Sequence, residues 1–231
     1  MPVTFRNAGA AASAASGNIT PALPAGFATN DVAILICAQK DNVVATITAG
    51  WNIVDPTNNG ATFRGFWAWR RLTAGDGDPT ITHTAGDAII ARIAVFAGVR
   101  TSGDPHDVKS VLSNAASTTV TATAVTPGTA GSHMVFMAAE SDDSTNSAYS
   151  GTNPVPVERI DSLTTLGLDA SVMLAAGDKN DTTTTGSRTC TQSRTVTSIG
   201  FLMMLVPDPA VRSTPPGDKR VLQAVNRAGS W

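Results

Sequence analysis

The sequence predicts an all-β protein: an antiparallel β-sandwich of jelly-roll-like type with an extended C-terminal tail. The apolar runs are strand-sized, rich in Val, Ile, Ala and Thr, and separated by turn clusters of Gly, Pro, Asn and Asp, with helical periodicity almost absent before Pro207. Bulk is concentrated in one place. Five of the twelve aromatic residues, Trp51, Phe63, Phe66, Trp67 and Trp69, lie in or just before the stretch from Thr62 to Leu72. Alternation puts Phe63, Trp67 and Trp69 on one face of that strand and Phe66, Ala68 and Leu72 on the other, so both faces need cover. The strand is expected at the centre of a two-layer structure.

Residues 1–18 are dominated by Ala, Gly, Ser and Asn with no apolar stripe to hold a helix down, and read as a flexible or extended N-terminal arm. The body spans 19–207. It opens with a short strand from Ile19 to Leu23, a Pro24-Ala25-Gly26 turn and a strong strand from Val32 to Gln39. Val43 to Thr48 is β-branched, and Pro56-Thr57-Asn58-Asn59-Gly60 reads as a turn leading into the aromatic strand. After the turn at Thr73 to Asp78, Thr80 to Thr84 gives a short strand. Ala88 to Val99 is apolar on both faces apart from Arg92, which predicts a buried neighbour of the aromatic strand. Val108 to Leu112, Thr118 to Thr126, Met134 to Ala139, Val155 to Ile160, Ala170 to Ala176, Thr182 to Thr189 and Arg194 to Val206 complete some eleven or twelve strands. Ile19 to Ala38 and Val120 to Ala139 share a strand, turn, buried-strand order, which fits two similar hairpin modules but is too common to establish a repeat.

The segment 208–231 begins linker-like, its prolines excluding it from a sheet. Asp218 is placed to cap a short helix over 219–228, with Val221, Leu222 and Val225 on one face. Ten residues are fewer than the roughly 12–15 an isolated helix needs, so this segment calls for a partner surface.

Only 15% of residues are charged and the net charge is −2, which gives no basic footprint for nucleic acid. No run approaches the roughly 18 apolar residues of a membrane helix, and no secretory leader is visible, so synthesis in the cytoplasm is expected. Cys37 and Cys190 match no metal or redox spacing, and Cys37 reads as a buried small hydrophobe. His83, His106 and His133 lack ligand spacing, and Ser132 and His133, as strand neighbours, point to opposite faces. The acidic turns Asp76-Gly77-Asp78 and Glu140-Ser141-Asp142-Asp143 offer oxygen ligands for calcium, yet Asp and Gly are ordinary turn formers and the structural reading is favoured. No phosphate loop, dinucleotide fingerprint or nucleophile elbow is present, so neither catalysis nor a cofactor is expected. Exposed rings would make a sugar platform, with Trp51 the best placed, although core packing is the stronger reading.

Pro24-Ala25-Gly26, Asn30-Asp31 before a buried strand, Gly50-Trp51, Phe66-Trp67-Ala68-Trp69-Arg70 leading to Thr73-Ala74-Gly75-Asp76, Ala94-Val95-Phe96-Ala97-Gly98-Val99 and the closing Phe201 to Pro207 together resemble a family of tailed-bacteriophage virion proteins. The resemblance covers about residues 17–207 and lies in pattern more than in any invariant motif. It departs at Phe96, where members often carry Tyr, and in 208–231, which has no counterpart. It implies a β-sandwich module of the capsid decoration (cement), minor structural or tail type, and no catalytic residues. The expected partners are the major capsid protein and copies of the chain itself, in a homo-oligomer for which the family suggests a trimer. The expected location is the virion's capsid surface. Attachment through the terminal arms would use Arg212, Arg220, Val221, Leu222, Val225, Arg227 and Trp231. The alternative is a tail or fibre protein recognising a host-surface glycan.

Overall fold

Hydrogen bonding sorts the strands by half of the chain. The computed structural model describes residues 1–84 and 86–209, among which there is no α-helix. The first half supplies β1 (Thr4–Ala8), β2 (Ala12–Ala14), β3 (Val32–Gln39), β4 (Thr46–Ile47), β5 (Asn52–Asn58), β6 (Arg64–Arg71), β7 (Ile81–Thr82) and β8 (Ile89–Ala97). From the second half come β9 (His106–Ala122), β10 (Ser132–Glu140), β11 (Asn146–Ser147), β12 (Val157–Thr164), β13 (Ala170–Lys179) and β14 (Arg188–Leu205). One sheet runs β1-β8-β3-β6-β5 with β2 also on β8, the other β11-β14-β10-β13-β12 with β9 also on β14, and β4 pairs with β7. Every pairing is antiparallel.

The second sheet repeats the first. Ile34 of β3 lies between Trp69 of β6 and Ala94 of β8, and Val135 of β10 lies between Ala176 of β13 and Met203 of β14. The match extends to minor contacts. Ile19 bridges Ile81 as Val120 pairs with Cys190, and Thr46 faces Thr82 as Asn146 faces Gln192. Even the Lys40 N–H to Ala88 carbonyl bond (2.8 Å) has its counterpart from Ser141 to Thr197 (3.1 Å). The ends of the equivalent strands β8 and β14 join each other, with Val99 bridging Pro207. The similarity of 19–38 to 120–139 is thus the visible trace of a repeat of the whole half. Because each sheet comes from one half, strands are not shared between the sheets as in a jelly roll.

Alternation gives each sheet two apolar faces. The inner faces meet in one cluster that includes Val32, Ile34, Ile36, Phe63, Trp67 and Phe96 against Val135, Met137, Leu174, Phe201, Met203 and Leu205. On the outer face of the first sheet, Leu35, Cys37, Phe66 and Ile93 are covered by Ile19, Trp51, Ile81, Leu23 and Phe27. On that of the second, Phe136, Met173, Leu202 and Met204 lie under Val120, Val125, Cys190 and Tyr149. Phe63, Trp67 and Trp69 do face one way and Phe66, Ala68 and Leu72 the other.

Several elements differ from the sequence reading. The N-terminal segment is stitched into the sheet, because β1 and β2 both find backbone partners on the edge of β8 and Phe5 packs edge-on against Phe96 at 5.8 Å. Pro56 lies inside β5, not in a turn. An edge strand tolerates proline at a bulge, and the β5–β6 register shifts between Val54 and Thr57. β8 neighbours β3, leaving β6 between β3 and β5. Ile19 to Leu23 makes a single bridge, the Glu140 to Ser147 loop contains β11, Val108 to Leu112 and Thr118 to Ala122 belong to one strand β9, and residues 182–187 are not strand. The helix expected over 219–228 lies outside the described residues.

The two sheets approach closely at Gly65, where a Cβ would stand 2.8 Å from Ala139 Cβ. Gly65→Ala should therefore lower stability in urea unfolding by about 1–3 kcal/mol. Adding Ala139→Gly should give a combined loss smaller than the sum of the two single losses, and strict additivity would show that this contact does not set the sheet spacing.

Candidate functional site

Where the two halves join end to end, the surface opens into a cavity of about 1140 Å³ lined by residues that include Met1, Arg100, Ser102, Asp178, Pro207 and Pro209. Its floor is fixed by Arg100 N–H donating to the Val206 carbonyl and Asp208 N–H to the Gly98 carbonyl, each at 2.9 Å. The Arg100 guanidinium is committed to backbone, donating to the carbonyls of Asp104 and, at 2.8 Å, His106. Asp178 on the rim accepts from His133 Nδ1 at 2.7 Å, while His133 Nε2 is buried without a partner and the ring tilts against Phe96. Burial lowers the His133 pKa against the pull of Asp178, so the ring is neutral at pH 7. Facing the core, it serves packing rather than proton transfer to a ligand.

A second polar group lies under the 141–147 loop on the outer face of the second sheet. Glu140 is fully buried. Its Oε2 is 2.6 Å from Ser171 Oγ, which is 2.8 Å from the Asp142 carbonyl, and its Oε1 has no partner. Burial raises Glu140 to about 7, against the downward pull of Ser171 and Asn146, with Asp161 adding to the rise. Ser171 has one hydroxyl hydrogen. When Glu140 is protonated it donates to Ser171, which in turn donates to the Asp142 carbonyl; when ionised it takes that hydrogen and the carbonyl loses it. Beside it, Asn146 N–H donates to Asp161 Oδ2 (2.9 Å), and the Cys190 thiol donates to Asn146 Oδ1 (3.2 Å). Burial raises Asp161, again against bonds from Asn146.

Asp142, Asp143 and Asp169 at the mouth of this loop bring carboxylate oxygens within 4.8 Å of one another, and among the described residues they are the group that could hold a cation. Arg194 already answers much of that charge, its Nε lying 2.6 Å from Asp143 Oδ1 and 3.8 Å from Asp142 Oδ1. The neighbouring Asp142 raises the Asp143 pKa, against the pull of Arg194. The other acidic turn is structural: Asp76 holds Arg70 and the Thr73 N–H, and Asp78 accepts from Leu23 N–H at 2.7 Å.

The remaining candidates are spent on packing. Ser132 Oγ donates to the Thr129 carbonyl, His83 Nε2 meets Asp41 at 2.9 Å, and His106 stacks edge-on against Trp67 at 5.3 Å. Among the described residues no serine, threonine or cysteine hydrogen-bonds a histidine. Both cysteines are free, buried on opposite outer faces, and burial raises their thiols far out of the reactive range. Trp51 is 8% exposed, and no aromatic ring among the described residues is fully at the surface. Arg212, Arg220, Val221, Leu222, Val225, Arg227 and Trp231 lie outside the described residues. No family model matches the chain, and neither a curated protein nor a solved structure is found similar to it.

Sequence reasoning named Glu140, Asp142 and Asp143 but missed Asp161, Asp169 and Ser171. The available signal was positional, since Gln39 ends β3 as Glu140 ends the equivalent β10. Gln39 is likewise fully buried. Glu140→Gln installs the sister residue, whose amide donates to Ser171 at every pH. With the folded pKa of Glu140 near 7 and an ordinary Glu at 4.5, its contribution to stability is complete below pH 4.5 and is lost as pH rises through 7. The variant's melting temperature should therefore match the native chain's near pH 4.5 and exceed it increasingly up to pH 8, by the equivalent of at most about 3 kcal/mol. A pH-independent difference would show that Glu140 does not titrate there.

Proposed function

We propose that this protein is a structural component of a tailed-phage virion, a capsid decoration (cement) protein that binds the major capsid shell through its C-terminal arm and lies beside copies of itself on the capsid surface. The reading starts from the resemblance over residues 17–207. What carries it is a division between body and arm. In the body every aromatic ring is at least partly buried, His133 and Glu140 are held inside their own networks, and the acidic cluster is met by Arg194. Beyond Pro209, by contrast, the chain places Arg212, Lys219, Arg220 and Arg227 among Val221, Leu222, Val225 and Trp231 with Asp218 as the one acid. Such a mixture of cations and large apolar side chains suits attachment to an acidic protein surface. The N-terminal segment is engaged on β8, so attachment falls to the other end. A glycan reader would need an exposed ring platform, and burial of Trp51 and Trp67 speaks against it.

Particles assembled with a chain truncated after Pro209 should carry few or no copies of it, while the truncated protein keeps the circular dichroism and melting temperature of a folded body. Incorporation at the full-length level would overturn the anchoring role.

A further inference from the structure

Two of the three histidines flank one residue of the inner layer. Leu205 of β14 is paired with His133 of β10 on one side and with His106 of β9 on the other, so the three side chains form a row across the second sheet. The row faces the first half. The His133 ring lies 5.6 Å from that of Phe96 and the His106 ring 5.3 Å from that of Trp67, and both aromatic rings belong to the first sheet. Each imidazole keeps one nitrogen buried without a partner, Nε2 in His133 and Nδ1 in His106.

The sister row in the first half carries no titrating group. Phe96 of β8 is paired with Val32 of β3 and with Phe5 of β1, so Val32 stands where His133 stands and Phe5 where His106 stands. The fold therefore accepts apolar residues at both places, and the histidines belong to the second half alone. Their surroundings oppose a second proton. It would sit on the unpartnered nitrogen, in a layer that offers no acceptor. Burial is the largest influence on both rings and lowers each pKa from the ordinary 6.5. Charges add smaller pulls. Asp178 favours the charged form of His133 and Arg159 opposes it; Asp104 and Asp55 favour that of His106, and Lys109 and Arg100 oppose it.

We infer that the row His106, Leu205, His133 is an acid-sensitive seam: protonation of its two rings loosens the second half from the first at the end where the chain crosses between them. Residues 98–105 make that crossing. Arg100 N–H donating to the Val206 carbonyl and Val206 N–H to the Pro105 carbonyl, each at 2.9 Å, close the same end. With the seam open, the rings take up protons below pH 6.5; with it closed, they do so only at lower pH. The stability they contribute is thus complete above pH 6.5 and is lost as pH falls through their lowered folded values. Each ring raises the opening constant by up to about tenfold per pH unit in that window. The inference rests on strand register and ring contacts and is independent of the particle reading, which stands or falls on incorporation.

The test is amide hydrogen exchange on the full chain at about pH 7.5 and about pH 5, with rates corrected for intrinsic exchange. In the native protein the Arg100 and Val206 amides should open about tenfold more at the lower pH, while Asn59, whose N–H bonds the Phe63 carbonyl at the opposite end, should change less than about twofold. The double variant His106→Phe, His133→Val installs the sister residues, and its response at Arg100 and Val206 should fall to that of Asn59. Asp178→Asn changes an exposed side chain and removes the carboxylate that favours charged His133, so its acid response should exceed the native one. No acid opening in the native chain, or a response in the double variant as steep as the native one, would overturn the inference. Should the double variant fail to fold, an Asp178→Asn response no larger than the native one would do the same.

Discussion

The molecule depends on one shared apolar layer. Neither half can cover its own inner face, because the outer loops of each half are spent on the opposite side of its sheet, so each sheet uses the other as its lid. Two faces with the same strand order would clash wherever large residues met. The two halves avoid this by trading volume at equivalent positions. Phe63 just before β6 and Trp67 and Trp69 on it correspond to Ala170, Leu174 and Ala176 on β13, whereas Arg92 and Ala94 on β8 correspond to Phe201 and Met203 on β14. Gly65 admits Ala139, and the larger side chains fill the space on either side. Close packing of this kind makes inner positions sensitive to single methyl groups.

The outer layers follow the same plan with different chemistry. In each half the chain returns over the outer face just before the central strand, through Ile19 in one and Val120 in the other. Each central strand ends in a buried polar residue beneath a loop, and there the halves part. Gln39 donates to the Val43 carbonyl at 3.4 Å, a bond insensitive to pH. Glu140 instead enters a network with Ser171, Asn146 and Asp161, in which one proton decides whether Ser171 donates to the Asp142 carbonyl, which also accepts from Ser144 N–H at 2.9 Å. Desolvation dominates that difference, since a neutral amide and a carboxyl of like size differ mainly in what ionisation costs when buried.

Fold class and facing were legible because they depend on alternation, which any strand must obey: the split of Phe63, Trp67 and Trp69 from Phe66, Ala68 and Leu72 follows from a two-residue period alone. The repeat was nearly illegible for the reason given above, as complementary packing requires equivalent residues to differ in size, and its trace in the sequence was the common strand, turn, buried-strand order of 19–38 and 120–139. Strand β5 was missed because proline and asparagine are turn formers by intrinsic preference, and an edge with a bulge overrides that preference. The Glu140 network was half legible. Its acids were visible in one turn, but Asp161, Asp169 and Ser171 come from β12, β13 and the turn between them, and only the register of those strands brings them near.

The doubled body also constrains how copies can meet. A chain whose halves repeat one another presents two similar edges, β5 and β12, and if both were apolar each could pair with either edge of another copy, giving branched association. Asn52 and Asn58 on one edge stand where Val157 and Leu163 stand on the other, so the two edges differ in polarity at these equivalent places. The bulge between Glu158 and Ile160 and the charges of Glu158, Arg159 and Asp161 further discourage β12 from adding a second β12 as a strand. The apolar side chains of this edge are divided between two faces, Val157 opposite Ala176 of the inner layer and Leu163 opposite Ser171 of the outer face. A contact between this edge of one copy and a different surface of the next is heterologous. Its geometry then decides between a closed ring and an extended row.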